Sequence, residues 1–550
     1  MNNNIMNYIK TYATYSEVFQ LPKYDKNELI KLIYDLPLGG LINVLSQMTF
    51  LKLNDECVRK DFIFYVESLT GNEFPNKHRL DEMALFSQQG LLTVWKWLLA
   101  YGNEGKLEEE VELDRGVAMI IYLCMIVSDY LYESDEAHNE IVYEMIRNAA
   151  FNSQEDLTSS IGRSKEIFID IAKNKGDFSD KEYVDFNSDF EKKYNYSLKE
   201  YLSITFGILA NYLKKKVNVT HEWTQNIEML FTSTPLNQEA KSIIKALSIN
   251  FRDAKQWAKA TLDSPWDFSL FQEKPIFILD NGNFMPIAPK LLYEHVFQGL
   301  FYKIRNCYDK NDTNFLRFFG RPFEIYVTTL LKESIKTSSL PYEVIPEFKY
   351  GKGNGRNSPD IMVKLGNKLL AIEVKSYRMA LKSLIGKDTC LIDKDINKMA
   401  IEPFKQLHAR LAEITSDNTI VDLSGITEVY LMSVTLGNIP LFPPTLEKIS
   451  KELKDTFKIG IKSINHLDIE EFEIFCNLIS RKSGRPIFRI LDNKNKNYSN
   501  IPFKNFLFSI NMPVRRAKYL DIKSKEFLKE TQHILFSKSV NQKEDRGIGL

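Results

Sequence analysis

Residues 358–375 read SPDIMVKLGNKLLAIEVK, and the fold turns on how this stretch is laid out. Two apolar runs, DIMVKL and LLAIEVKS, flank Gly366-Asn367, which suits a tight turn between two strands. Residues two apart in a strand face the same way. Glu373 and Lys375 therefore project together, while Leu370, Ile372 and Val374 are expected to project to the opposite, buried face. Asp360 opens the first strand and can sit across from Glu373. Two carboxylates and one ammonium are thus expected to converge at one sheet edge. Paired carboxylate oxygens suit a hard cation such as Mg²⁺, which keeps several waters. A bound ion polarises a phosphate and activates a water. A neighbouring lysine can orient or deprotonate that water and offset charge on the phosphorane oxygens.

Working outward, RPFEIYVTTLLKESI reads as a helix with Pro322 near its first turn. YEVIPEFKY reads as a strand, and GKGNGRNS as a Gly-rich basic turn. After the two central strands come a helix, EPFKQLHARLAEI, and a further strand, TEVYLMSVTL. The order is helix, three strands, helix, strand.

Pro-Asp, then a dozen residues, then Glu-x-Lys on an apolar strand, in this order of elements, resembles the PD-(D/E)XK nuclease superfamily. The resemblance covers about residues 317–436, about a fifth of the chain. Glu-x-Lys alone is a weak signal, recurring at Glu104, Glu191, Glu347 and Glu452, whereas Pro-Asp occurs once. The resemblance implies that Asp360 and Glu373 bind metal and that Lys375 is catalytic. It also implies that Glu324, on the helix before the first strand, is a further metal or water ligand. Gln406, on the helix after the lysine strand, would steady the site or touch substrate, with Arg410 on the same face. The implied cofactor is Mg²⁺, with Mn²⁺ able to substitute. The implied reaction is phosphodiester hydrolysis, with DNA expected ahead of RNA or tRNA. The implied setting is bacterial anti-phage defence, restriction or repair. A catalytically silent member of the same fold is the competing reading, against which stands the presence of Asp360, Glu373 and Lys375 together. Cutting both strands at once would need two such cores, so a homo-oligomer is compatible with this chemistry.

Basic residues surround the motif. Lys349, Lys352 and Arg356 lie in the loop KYGKGNGR, and Arg378, Lys382, Lys387 and Arg410 follow. Lys349, Lys352, Arg356, Arg378 and Arg410 are the candidate contacts to nucleic-acid phosphates. The simpler reading of the loop is a hairpin turn, and that of the later cations a solvated face. No GxxxxGK[ST] loop occurs. Arg515, Arg516 and Lys518 follow the aromatic segment PFKNFLFSINMPV. That interleaving suits nucleic acid, although a packed helix with a charged edge explains it equally.

The rest of the chain sets the frame. It has 550 residues, 44% hydrophobic and 26% charged, which excludes a wholly disordered, collagen-like or disulfide-scaffold protein. Lysine plus arginine and aspartate plus glutamate balance at 72 each, but unevenly: 31 against 43 in residues 1–300, and 41 against 29 in 301–550. A net of −12 followed by +12 makes the second half the candidate for a polyanion and raises an acidic cover over a basic site. Five scattered cysteines show no zinc spacing and fit a reducing cytosol. MNNNIMNYIK has no signal-type apolar run. The longest apolar stretch, Gly116–Val127, is shorter than the roughly 20 residues a bilayer requires. A cytoplasmic protein without a membrane partner is expected.

The expected fold is a multi-domain α+β chain. A mostly α-helical region, 1–270, would sense, regulate or recruit a partner protein. A hairpin turned at Asn281-Gly282 and a connecting helix occupy 271–300. A restriction-endonuclease-like α/β core with a mixed sheet flanked by helices spans 301–440. A mixed extension with a basic tail spans 441–550.

Overall fold

Apolar residues at three- and four-residue spacing form helices where the sequence leads one to expect them, at Lys26–Asp35, Gln88–Tyr101, Leu113–Leu131 and Leu198–Lys214. The computed structural model describes residues 12–49, 56–70, 73–74, 80, 82–131, 138–152, 156–214, 219–386, 388–416, 421–439, 446–447, 451, 460–482, 484–499 and 501–544. The architecture is mixed α/β. The chain divides into two compact units. One comprises Met1–Glu136, Lys199–Leu300 and Thr531–Leu550, and the other Ala137–Leu198 and Phe301–Glu530.

In the first unit, Gln88–Tyr101 and Leu113–Leu131 are apolar on nearly every side, and both are buried accordingly. The apolar stretch at 116–127 is thus a core helix. Among the described residues, no single helix is long and apolar enough to cross a membrane. Strands Ile276–Ile278 and Asn283–Pro286 form the expected antiparallel hairpin, with Gly282 at φ +79° in its turn.

The second unit is built on a five-stranded sheet. Its strands are β1 (Glu343–Pro346), β2 (Ile361–Leu365), β3 (Lys368–Lys375), β4 (Glu428–Thr435) and β5 (Ser463–Asp468), in the spatial order β5-β4-β3-β2-β1. β1, β2 and β3 form an antiparallel meander, whereas β3, β4 and β5 run parallel. Gly366, at φ +60°, occupies the first position of the two-residue loop joining β2 to β3, a conformation that glycine adopts without steric cost. The helices that concern the site are α1 (Leu157–Ser164), α2 (Asn314–Lys336), α3 (Glu402–Ser416), α4 (Ile469–Ile479) and α5 (Ile487–Asn497).

Both faces of the sheet are covered. On one, Phe404, Leu407 and Leu411 of α3 join a core with Met362, Leu369, Ala371 and Leu431. On the other, Tyr430, aligned with Leu370, sets its ring at a tilt against Phe488 of α5, with centroids 4.9 Å apart. Glu373 therefore lies 1% exposed inside the layers, not on an open edge, because buried parallel strands carry apolar neighbours on either side.

The two units do not follow the linear boundary expected near 270–300. Residues 138–198, expected within a single N-terminal helical domain, belong with the sheet-bearing unit. Ile146 enters the core beneath α3. Arg147 donates to the carbonyl of Gly386 at 2.7 Å. Arg163 of α1 makes a two-point ion pair with Glu473 of α4, and Phe168 stacks on Phe319 of α2. α2 also begins earlier than expected, so Pro322 lies inside the helix and not in its first turn. PIFRILDN forms the start of α5, and most of 440–459 lies outside the described residues.

Candidate functional site

The register of the meander brings three carboxylates into one row. Pro346 pairs with Ile361, and Ile361 with Ile372. One step further along the strands, Glu347 follows β1, Asp360 precedes β2, and Glu373 lies in β3. Residues directly opposite one another share a face, so all three belong to the side covered by α3. The backbone N–H of Val374 donates to Asp360 Oδ2 at 2.7 Å, which fixes Asp360 against the end of β3.

Glu324 joins this row from α2. Carboxylate oxygens of Glu324, Glu347 and Asp360 all lie within 4.8 Å of one another. Burial pushes the Asp360 carboxyl well above the usual carboxylate range. Its neighbours Glu373 and Glu324 add to the rise, while the Val374 N–H and the Lys375 ammonium pull it back. Glu324 is raised as well, first by burial and then by Glu347, against the opposing pull of Arg321. Crowded, partly desolvated hard oxygen donors have the chemistry that a Mg²⁺ or Mn²⁺ ion requires.

Glu373 is placed differently from the other acids. Its Oε1 accepts from Lys375 Nζ at 2.7 Å and its Oε2 from Arg410 Nη1 at 2.6 Å, so each carboxylate oxygen has a cation. The expected ligand set of Asp360, Glu373 and Glu324 thus differs from the observed cluster, which has Glu347 in place of Glu373. Glu347 carries one of the recurrent Glu-x-Lys matches, and the spacing of that motif gives no hint of its place. The signal that could have found it is pairing: a hairpin in which 346 faces 361 sets 347 beside 360.

Arg321, absent from the sequence reading, donates through Nη1 to both oxygens of Glu324 at 2.8 Å. The same nitrogen lies 3.8 Å from Glu347 Oε2, and Nε lies 3.5 Å from Glu182 Oε1.

The expected nucleic-acid contacts scatter. Lys349 and Lys352 are exposed on a small hairpin, Lys349–Tyr350 paired with Arg356–Asn357. Arg356 pairs with Glu413. Arg378 is held between aromatic rings, 4.2 Å from the centroid of Phe301 and 4.0 Å from that of Tyr302. Arg410 directs its charge inward to Glu373 and also approaches the Ser358 carbonyl at 3.4 Å. Gln406 is exposed one turn before Arg410 and makes no hydrogen bond among the described residues. Lys382 is exposed, and Lys387 lies outside the described residues. Arg516 pairs with Asp156 and Asp521, while Arg515 and Lys518 are exposed nearby.

Comparison of the chain with protein-family models, with curated proteins and with solved structures returns no match.

Proposed function

We propose that the chain is a metal-dependent nuclease of the PD-(D/E)XK type, hydrolysing phosphodiester bonds of DNA. The observation that carries this reading is the convergence of Glu324, Glu347 and Asp360 beside a strand that presents Glu373 and Lys375. An antiparallel meander continued by a parallel strand beyond a helical crossover accords with the restriction-endonuclease-like core that the motif implies.

Glu324, Glu347 and Asp360 are the residues that would hold a divalent cation. Bound there, such an ion would polarise the scissile phosphate and lower the pKa of its water. The chain's own part is positional. Glu373, clamped by Arg410, holds the Lys375 ammonium at 2.7 Å and so aims it along the row of carboxylates. Lys375 is a quarter exposed and can meet an incoming water or phosphate oxygen. The exposed Lys349 and Lys352 supply sequence-independent attraction to a phosphate backbone. The other unit senses or recruits, the whole acting in bacterial defence or restriction.

The test is cleavage of supercoiled, linear and single-stranded DNA and of RNA with Mg²⁺ or Mn²⁺, by wild type, Lys375→Ala and Asp360→Ala, with EDTA as control. Each substitution is expected to lower cleavage by about a hundredfold or more. Cleavage that survives both substitutions would exclude this site. Cleavage confined to RNA would keep the site and overturn the substrate.

A further inference from the structure

Three carboxylates crowd together at Glu324, Glu347 and Asp360, and the cation hydrogen-bonded within the cluster is a guanidinium. A single Nη1 atom of Arg321 spans two of the three acids, at 2.8 Å from Glu324 and 3.8 Å from Glu347. Asp360 receives only the Val374 N–H among the described residues. One hydrogen-bonded guanidinium against three carboxylates, with the nearby Lys375 ammonium bonded to Glu373, leaves the cluster short of cation. A guanidinium also donates in a plane, whereas the acids approach from α2, from the end of β1 and from the start of β2. The other end of the same guanidinium faces a fourth carboxylate, with Nε 3.5 Å from Glu182. Arg321 and Glu182 are both about two-fifths exposed, so this pair lies at the solvent-facing rim of the cluster.

We propose that Arg321 is a built-in occupant of the metal site. It bridges Glu324 and Glu347 and would withdraw to Glu182 on entry of a divalent cation. The inference rests on the metal-site reading above and adds to it a regulated affinity. Glu324 and Glu347 are released to the incoming ion only in exchange for the guanidinium, and Glu182 stabilises the displaced arginine. Cation binding then becomes a competition set by four residues, Glu324, Glu347, Arg321 and Glu182, the last two of which the ion does not touch.

The test is titration of the full chain with Mn²⁺, followed by loss of the free-ion electron paramagnetic resonance signal and by calorimetry. Wild type is compared with Arg321→Gln, Glu182→Gln and the double variant, with circular dichroism to establish folding. Arg321→Gln is expected to tighten Mn²⁺ binding by about fivefold, the factor that removal of one partly exposed ion pair supplies. Glu182→Gln is expected to weaken binding by about threefold in the wild-type background and to change nothing once Arg321 is gone. Unchanged or weaker binding by folded Arg321→Gln, with wild type still binding, overturns the displacement while leaving the metal site intact. Absence of Mn²⁺ binding in both folded wild type and Arg321→Gln overturns the metal-site reading itself.

Discussion

At the scale of single residues, Glu373 and Arg410 show how a side chain with the right chemistry can be occupied elsewhere. Glu373 is buried, and its charge is tolerable there because Lys375 and Arg410 each take one oxygen. Arg410→Ala should therefore cost about 2 kcal/mol of stability, read from urea unfolding, because the carboxylate left behind keeps a single partner. A loss of nucleic-acid affinity at unchanged stability would instead return Arg410 to the substrate surface. Asp360, Glu373 and Lys375 were legible in the sequence because a strand's alternation and a two-residue turn fix their relation locally. Glu347 and Arg321 were not. The first depends on which residue of β1 faces β2, and the second on the rotation of α2 against the sheet, and both are set by packing between distant segments.

At the scale of elements, α4 carries two buried acids with opposite solutions. Glu473 meets Arg163 through both oxygens, at 2.6 and 2.9 Å, and accepts from the Tyr326 hydroxyl at 2.7 Å, tying α1 and α2 to α4. Arg163→Met or Glu473→Leu alone should destabilise by about 3–5 kcal/mol by stranding a buried charge. The double substitution should recover most of that, measured as a double-mutant cycle in urea. Among the described residues, Glu471 has no such partner. Burial raises its carboxyl to about 7, despite the Lys504 N–H at 2.8 Å and the nearby Lys494 ammonium. A folded-state pKa above the unfolded value of about 4.3 means that the native state holds the extra proton between those limits. The contribution of Glu471 to stability is then full below about pH 4.3 and lost as pH rises through about 7. Glu471→Gln should gain on wild type by about 2–3 kcal/mol between pH 5 and pH 8 in thermal or urea unfolding. A constant difference across that range would place the proton elsewhere. The helices and strands themselves were largely readable, since periodicity and turn residues mark them. The start of α2 and the place of Pro322 were not, because a core-packed helix can carry a proline that a solvent-exposed one would exclude.

At the scale of the whole chain, the charge asymmetry of the linear halves, −12 and +12, narrows when residues are sorted into the compact units. The unit holding the sheet carries 46 basic and 39 acidic residues, a net of +7, and the other carries −7. The sequence shows the imbalance, but composition cannot reveal that residues 137–198 lie with the positive unit. A deletion of residues 1–270 therefore does not isolate the candidate nuclease. It removes Ile146, Arg163 and Phe168 from the core that supports the sheet, and the remaining chain should be insoluble or melt at least about 10 °C lower by differential scanning fluorimetry. A soluble, cooperatively melting 271–550 fragment would show that α1 and its neighbours are dispensable to that core.

The sheet-bearing unit is interrupted once along the chain, and its partner twice. On the ribosome, this order denies either unit an early finish. When Glu324, Glu347 and Asp360 have emerged, β3, β4 and β5 are still to come, β5 nearly thirty residues behind β4, and Glu473 arrives long after the arginine it neutralises. Nascent chains must hold an unpaired strand edge until β5 has emerged and a stranded guanidinium until synthesis passes residue 473, which makes them clients for chaperones. The same order bears on interrupted synthesis: a product that ends before residue 463 carries Glu324, Glu347 and Asp360 on an incomplete sheet, with Arg163 lacking its carboxylate partner.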